Sequence, residues 1–207
     1  MTPAPRGVAA FDFDGTITRR DTLGPFLVEY RGRARVLRAG LPHLHRLGGA
    51  ALGRYDRDLA KDRYLTSLLG GTGAPELERA GRAYAAQLLE RQAFHPAVVE
   101  RMAWHREQGH AVVVISASLA AYVEPVAREL GADASFATQL EAVDGVLTGR
   151  MDRGNVRAAA KVERLERWLD AKPAEVWAYG DSAGDDALLA RADHPHRVRR
   201  GRIEPGR

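Results

Sequence analysis

Gly7-Val8-Ala9-Ala10-Phe11-Asp12-Phe13-Asp14-Gly15-Thr16 is the stretch that decides how this chain reads. Its first five residues form a short apolar run of the kind that makes a buried strand, and Gly15 permits a sharp turn directly after it. Residues two apart in a strand point the same way, so Asp12 and Asp14 leave the strand end close together. Two carboxylates so placed repel unless a cation or a proton lies between them. Mg²⁺, a hard cation that takes oxygen ligands, suits such a pair. One carboxylate is then a candidate nucleophile and the other a candidate proton shuttle. A D-x-D pair also occurs as two solvated turn residues or as half of a calcium loop. The calcium reading fails on register: counted from Asp12, the fifth and twelfth loop positions are Thr16 and Leu23, and Leu23 has no oxygen to offer.

Outward from this stretch, strand-like and helix-like segments alternate. Ala111-Val112-Val113-Val114-Ile115 and Glu175-Val176-Trp177-Ala178-Tyr179 read as two further strong strands. Ala134 to Thr138 and His196 to Val198 read as weaker ones. Pro96 to Glu107, Leu119 to Leu130 and Val162 to Leu169 carry helical periodicity. This alternation predicts an α/β fold, a three-layer Rossmann-like parallel sheet covered on both faces. The strong strands end in Asp12/Asp14, Ser116 and Asp181, at the edge where open α/β sheets bind ligands. Residues 21–91 carry no clear strand and many glycines, and read as a helical cap inserted after the first strand. The expected division is therefore a core of residues 1–20 and 92–207 and a cap of residues 21–91. The apolar segment from Val36 to Leu52 reads first as the cap's own core, with self-association or lipid contact as less favoured readings.

At 207 residues and 45% hydrophobic composition, the chain can bury a core for one domain with an insertion. It has no cysteine, which excludes disulfides, zinc–thiolate sites and thiol catalysis. No signal peptide or membrane-spanning stretch is read, which points to the cytoplasm. The formal net charge is +4 and the pI about 9.7. Basic residues gather at Arg31, Arg33, Arg35, Arg38 and Arg46, and again at Arg197, Arg199, Arg200, Arg202 and Arg207. No aromatic residues interleave with them as a base-stacking platform requires, so nucleic acid is not expected. Solvated helix faces and a mobile basic tail are the expectation for these clusters.

Taken with Ser116-Ala117-Ser118, Lys161 and Gly180-Asp181-Ser182-Ala183-Gly184-Asp185, the first motif gives four ordered motifs. The chain resembles the haloacid dehalogenase superfamily of phosphohydrolases, in its phosphoserine-phosphatase-like branch (subfamily IB), over residues 7 to 195. The linking text Ala137 to Glu141, Asp144-Gly145 and Leu147 to Arg150 is similar to that branch as well. The resemblance implies a Mg²⁺-dependent phosphomonoester hydrolase. Asp12 would be the nucleophile, Asp14 the general acid and base, and Lys161 the cation that offsets charge on the transferring group, with Arg157 as its rival. Ser116 and the backbone at Ala117 would hold phosphate oxygens, and Ser118 would cap the helix that follows. Asp12, the Asp14 carbonyl, Asp181 and Asp185 would form the Mg²⁺ site, with Asp186 able to exchange roles with Asp185.

The chain departs from the family pattern in three places. Ser182 and Gly184 stand where many relatives have Gly and Asn. Asp21 stands where phosphoserine phosphatases usually have Glu, and reads equally as a contact to a substrate amine and as a helix cap. Relatives continue past the last motif with another strand and helix, whereas here only a short basic tail is expected, with an edge element absent or supplied by a partner chain. Arg54, Arg57 and Arg63 are open candidates to meet a substrate carboxylate. The expected partner is a small phosphate ester, phosphoserine-like, with a monomer or homodimer as the assembly and membrane contact disfavoured. A non-enzymatic phosphometabolite binder and a phosphotransferase or phosphomutase are the rival functions.

Overall fold

The computed structural model describes residues 7–41, 56–170 and 175–205. Gly7–Phe11 (β1) is the central strand of a seven-stranded sheet. Ala111–Leu119 (β2) and Glu175–Gly180 (β5) flank it in parallel, with Phe11 level with Val114 on one side and Tyr179 on the other. Ala134–Val143 (β3) and His194–Arg199 (β6) extend the parallel array outward. Val146–Asp152 (β4) and Arg202–Pro205 (β7) close the two edges, both antiparallel, giving the order β4-β3-β2-β1-β5-β6-β7.

The alternation of side chains along each strand divides the interior in two. Ala9, Phe11, Val112, Val114 and Tyr179 lie on one face. They pack there with Val98 and Met102 of Pro96–Glu107 (α5) and with Tyr122, Val123 and Val126 of Ala120–Glu129 (α6). Val8, Ala10, Val113, Ile115, Val176 and Ala178 lie on the other face. Their partners are Leu165 and Leu169 of Ala159–Leu169 (α7) and Leu188 and Leu189 of Asp186–Arg191 (α8). The strands are apolar on both faces because both are covered, which is what a parallel sheet demands. The fold is thus the expected three-layer α/β core, with the sheet mixed rather than wholly parallel.

Between β1 and β2 the described chain forms Leu23–Arg31 (α1), Arg33–Gly40 (α2), Arg57–Leu69 (α3) and Ala74–Glu90 (α4) before α5. Phe26 of α1 and Leu77, Tyr84 and Leu88 of α4 join the first core cluster, so these helices pack onto the same face as α6. Of the apolar segment from Val36 to Leu52, residues 42–52, with Arg46, lie outside the described residues, as does Arg54. In α2, Leu37 and Leu41 on its flank are exposed. No helix among the described residues is long and apolar enough to cross a membrane.

Two expectations change. The basic C-terminus is a hairpin, not a mobile tail: Arg197 and Arg199 lie on β6, Arg202 on β7, and Arg200 and Gly201 turn the chain with positive φ. The sheet therefore gains its edge from its own chain. On the other side, Asp144 and Gly145, both with positive φ, turn a second hairpin. The Asp-Gly pair favours that turn because both central positions must be left-handed.

Candidate active site

The strands β1, β2 and β5 deliver their carboxyl ends to one cavity of about 250 Å³. Asp12 follows β1 directly and is 6% exposed. Asp14 sits in a tight turn whose next residue, Gly15, has φ +78. A β-carbon at Gly15 would run into the Asp181 carboxylate and would also be strained at this φ. Glycine is thus what lets the first and last motifs approach each other.

Lys161 enters from the first turn of α7 and is buried. Its ammonium donates to Asp12 Oδ1 and, at 2.6 Å, to Asp185 Oδ1. Asp185 Oδ2 accepts from the Ser182 amide at 3.0 Å and the Ser182 hydroxyl at 2.9 Å, so both of its oxygens are held. Burial acts to lower the Lys161 ammonium, but Asp12 and Asp185 outweigh it and raise it above the ordinary lysine range. Burial raises the Asp12 carboxyl to about 7, against the pull of Lys161. Asp186 lies outside this cluster, exposed and 2.5 Å from the Arg197 guanidinium. Of the two adjacent carboxylates, only Asp185 faces the cavity.

Asp14 is held by groups on two elements. Its Oδ1 accepts from the Thr22 amide at 2.7 Å and the Thr22 hydroxyl at 2.5 Å, and its Oδ2 from the Ser118 hydroxyl at 2.5 Å. Burial raises its carboxyl above the usual range, while the Ser118 and Thr22 donors pull it back. Ser118 therefore does not cap a helix. β2 runs on to Leu119 through an irregularity after Ser116, and α6 starts at Ala120 without a side-chain cap. The Ser118 amide donates to Ser116 Oγ at 2.9 Å. That bond uses an acceptor site of the Ser116 hydroxyl and leaves its proton free to donate to an anion.

Oxygens of Asp12, Asp181 and Asp185 lie within 4.8 Å of one another. Burial, and next the charge of Asp185, raise the Asp181 carboxyl. Four carboxylates of the site (Asp12, Asp14, Asp181 and Asp185) face one buried ammonium, Lys161. The residues present are hard oxygen donors with an excess of negative charge, so they fit a divalent cation such as Mg²⁺.

The remaining wall comes from the inserted helices and the segment after β4. Asp21 lines the cavity and also accepts from the Gly24 amide at 3.2 Å, so the cap geometry and the cavity position coexist. Arg57 lines the cavity, whereas Arg63 points away to solvent. Arg157 lines the cavity beside Gly184. Three contributors were not legible in the sequence: Thr22 on Asp14, and Lys61 with Asn155, which meet at 2.8 Å. Lys61 and Asn155 meet across 94 residues, so local pattern carries no trace of them. Thr22 is only eight residues from Asp14, and the turn at Gly15 is what folds it back onto that carboxylate.

The description "haloacid dehalogenase-like hydrolase" matches residues 9–190. The chain belongs to the haloacid dehalogenase-like hydrolase family. It is 34% identical over 197 residues to Protein CicA of Caulobacter vibrioides, covering 94% of this chain and 87% of that one. Probable phosphatase Rv3661 of Mycobacterium tuberculosis is 29% identical over 204 residues, covering 93% of this chain and 68% of its own length. Among solved structures, a Bordetella pertussis protein of unknown function superposes with a TM-score of 0.74 at 24% identity, covering 90% of this chain and 87% of that one. A phospho-aspartyl intermediate analogue of phosphoserine phosphatase superposes with a TM-score of 0.64 at 22% identity, covering 91% and 84%. Within the family the chain is thus a phosphatase-like hydrolase with the phosphoserine phosphatase fold.

Proposed function

We propose that the chain is a Mg²⁺-dependent phosphomonoester hydrolase that works through an aspartyl-phosphate at Asp12, on a small, phosphoserine-like metabolite. The observation that carries the reading is the pairing of two differently held carboxylates at the end of β1. Burial raises both carboxyls, but Asp12 is in contact with a counter-charge, the Lys161 ammonium, whereas Asp14 is held by neutral donors alone. Such a split in environment suits one ionised nucleophile and one proton carrier.

Asp12 attacks phosphorus, the bond from phosphorus to the ester oxygen breaks, and Asp14 gives its proton to the departing alcohol. Asp14, now ionised, takes a proton from water as that water attacks phosphorus, and the bond to Asp12 breaks to release phosphate. Lys161 offsets negative charge at the attacking oxygen, and the Ser116 hydroxyl with the Ala117 amide receives phosphate oxygens. Asp12, the Asp14 carbonyl, Asp181 and Asp185 would hold Mg²⁺, which when bound supplies charge neutralisation to the phosphoryl group. Residues 21–91 serve as the cap over a core of residues 1–20 and 92–207, because this insert supplies Asp21, just ahead of α1, and Arg57 and Lys61 of α3 to the cavity wall.

The cavity of about 250 Å³ suits a small ester rather than a macromolecule, and similarity to proteins named phosphoserine phosphatase favours an amino acid phosphate. The test is phosphate release from a panel of small esters, with Mg²⁺ and with EDTA. Metal-dependent release ranked by ester is expected. Tight binding of an ester with no release would replace the hydrolase by a binder, and transfer of the phosphoryl group to an added alcohol would replace it by a phosphotransferase.

A further inference from the structure

Lys61 belongs to α3, in the insert, yet its ammonium ends on the core. It donates to the Ala117 carbonyl and, at 2.8 Å, to Asn155 Oδ1. The Asn155 amide nitrogen donates to Asp58 Oδ1 at 2.7 Å, one turn back along α3. A lysine can only donate and an ionised carboxylate can only accept, so the two neighbours fix which way the Asn155 amide points. Thr138 Oγ1 lies 2.9 Å from the Ala117 carbonyl and 3.0 Å from Asn155 Oδ1, and accepts from the Val156 amide at 3.2 Å. One carbonyl within β2, at the irregularity after Ser116, is thereby tied to α3 and to β3, and through their side chains to Asn155 of the segment after β4.

That carbonyl belongs to the peptide joining Ala117 to Ser118. The same peptide's N–H donates to Ser116 Oγ, and the residue it leads into places its hydroxyl on Asp14. Rotation of this one peptide would move both hydroxyls together. We propose that Lys61 is a positioning residue: by holding the Ala117 carbonyl from the insert, it fixes the peptide that presents Ser116 to a phosphate oxygen and Ser118 to Asp14. The inference rests on the hydrolase reading for its chemistry. It makes the phosphate-binding loop correctly formed only while α3 sits over the core.

Around Lys61 stand Arg57 and Asp58 on its own helix, Asp14 and Asp21 from the segment after β1, and Arg157 from the segment after β4. Burial lowers its ammonium to about 8, with Asp58, Asp14 and Asp21 acting the other way. The hold on Ala117 should therefore weaken as pH rises past that value, because the neutral amine is the poorer donor.

The experiment compares wild type with Lys61→Met and Lys61→Arg in two assays, each protein first checked for folding by circular dichroism. Titration with inorganic phosphate reads the loop without turnover, and Lys61→Met is expected to bind it about 10-fold or more weakly. Hydrolysis across pH 6 to 10 reads the hold itself. Wild type should lose kcat/KM above about pH 8, and Lys61→Arg, whose guanidinium does not titrate there, should keep its activity to higher pH. Phosphate affinity within two-fold of wild type in Lys61→Met, or an alkaline limb at the same pH in Lys61→Arg, overturns the inference. Should Lys61→Met fail to fold, the Lys61→Arg profile decides. Wild type that binds phosphate but hydrolyses nothing counts against the hydrolase reading, and the phosphate titration then judges Lys61 alone.

Discussion

Among the described residues, the buried polar clusters around Lys161 and around His105 meet the cost of burial in opposite ways. At the carboxyl ends of the strands, Asp12 and Asp185 are both in contact with the Lys161 ammonium. On the face of the sheet beneath α5, His105 is wholly buried between His110, 2.8 Å from its Nδ1, and the Tyr179 hydroxyl, 2.8 Å from its Nε2. Burial, with the nearby charges of His110 and Arg101, lowers His105 to about 3, so it is neutral at ordinary pH. Trp177 stacks between His110 and His194, and Tyr179 lies between Phe11 and His196, which seals the neighbourhood with aromatic faces. A buried charge must be paired, and a buried titratable group without a counter-charge gives up its charge. Only the first cluster opens onto a cavity. The difference separates a site built for chemistry from one built for packing.

The comparison breaks most sharply at Asp12. Asp12→Asn keeps the shape and removes the nucleophile, and phosphate release should fall on the order of 10³-fold or more in a steady-state assay. Lys161→Ala comes next. It strands two buried carboxylates, and should destabilise the metal-free protein by about 3–5 kcal/mol in urea unfolding, besides lowering activity.

Acid sharpens the contrast, because the two clusters respond with opposite sign. His105 has a folded pKa below its ordinary 6.5, so its contribution to stability is full above pH 6.5 and is lost as pH falls from there toward about 3. Asp12 has a folded pKa near 7, above its ordinary 3.8, so in EDTA it adds stability as pH falls through that window. Melting temperatures in EDTA between pH 7.5 and 4.5 should therefore fall less steeply for His105→Leu than for wild type, and more steeply for Asp12→Asn. The smallest effect is expected at Tyr179→Phe. It leaves a ring nitrogen of His105 without its partner, and should cost about 1–2 kcal/mol with hydrolysis unchanged at neutral pH.

The two clusters were unequally legible in the sequence. Asp12, Asp14, Ser116 and Asp181 announce themselves because each follows an apolar run directly, so strand direction alone delivers them to one edge. The histidine cluster has no such sign: His105 and Tyr179 meet across 74 residues. The same gap explains Ser118, a small hydroxyl before a helix, which serves equally well as a cap until its partner 104 residues away is known. Asp185 and Asp186 are adjacent and chemically identical; motif spacing favours Asp185, and the burial of one and the exposure of the other separate them in the structure. Both edge hairpins did carry local signals. Asp144-Gly145 is a turn pair, and Arg197-Val198-Arg199 with Arg202-Ile203-Glu204 alternates polar and apolar with period two. In the basic tail that alternation was hidden by the density of arginine.

The central claim is that Asp12 carries the phosphoryl group, and the most direct measurement is to trap it there. The protein is mixed with its best ester and Mg²⁺, quenched in acid during turnover and reduced with borohydride, which converts an acyl phosphate of aspartate to homoserine. Peptide mass spectrometry should then find homoserine at position 12 and aspartate at 14, 181 and 185. Turnover that leaves Asp12 unmodified, or that places the modification on another carboxylate, would contradict the account.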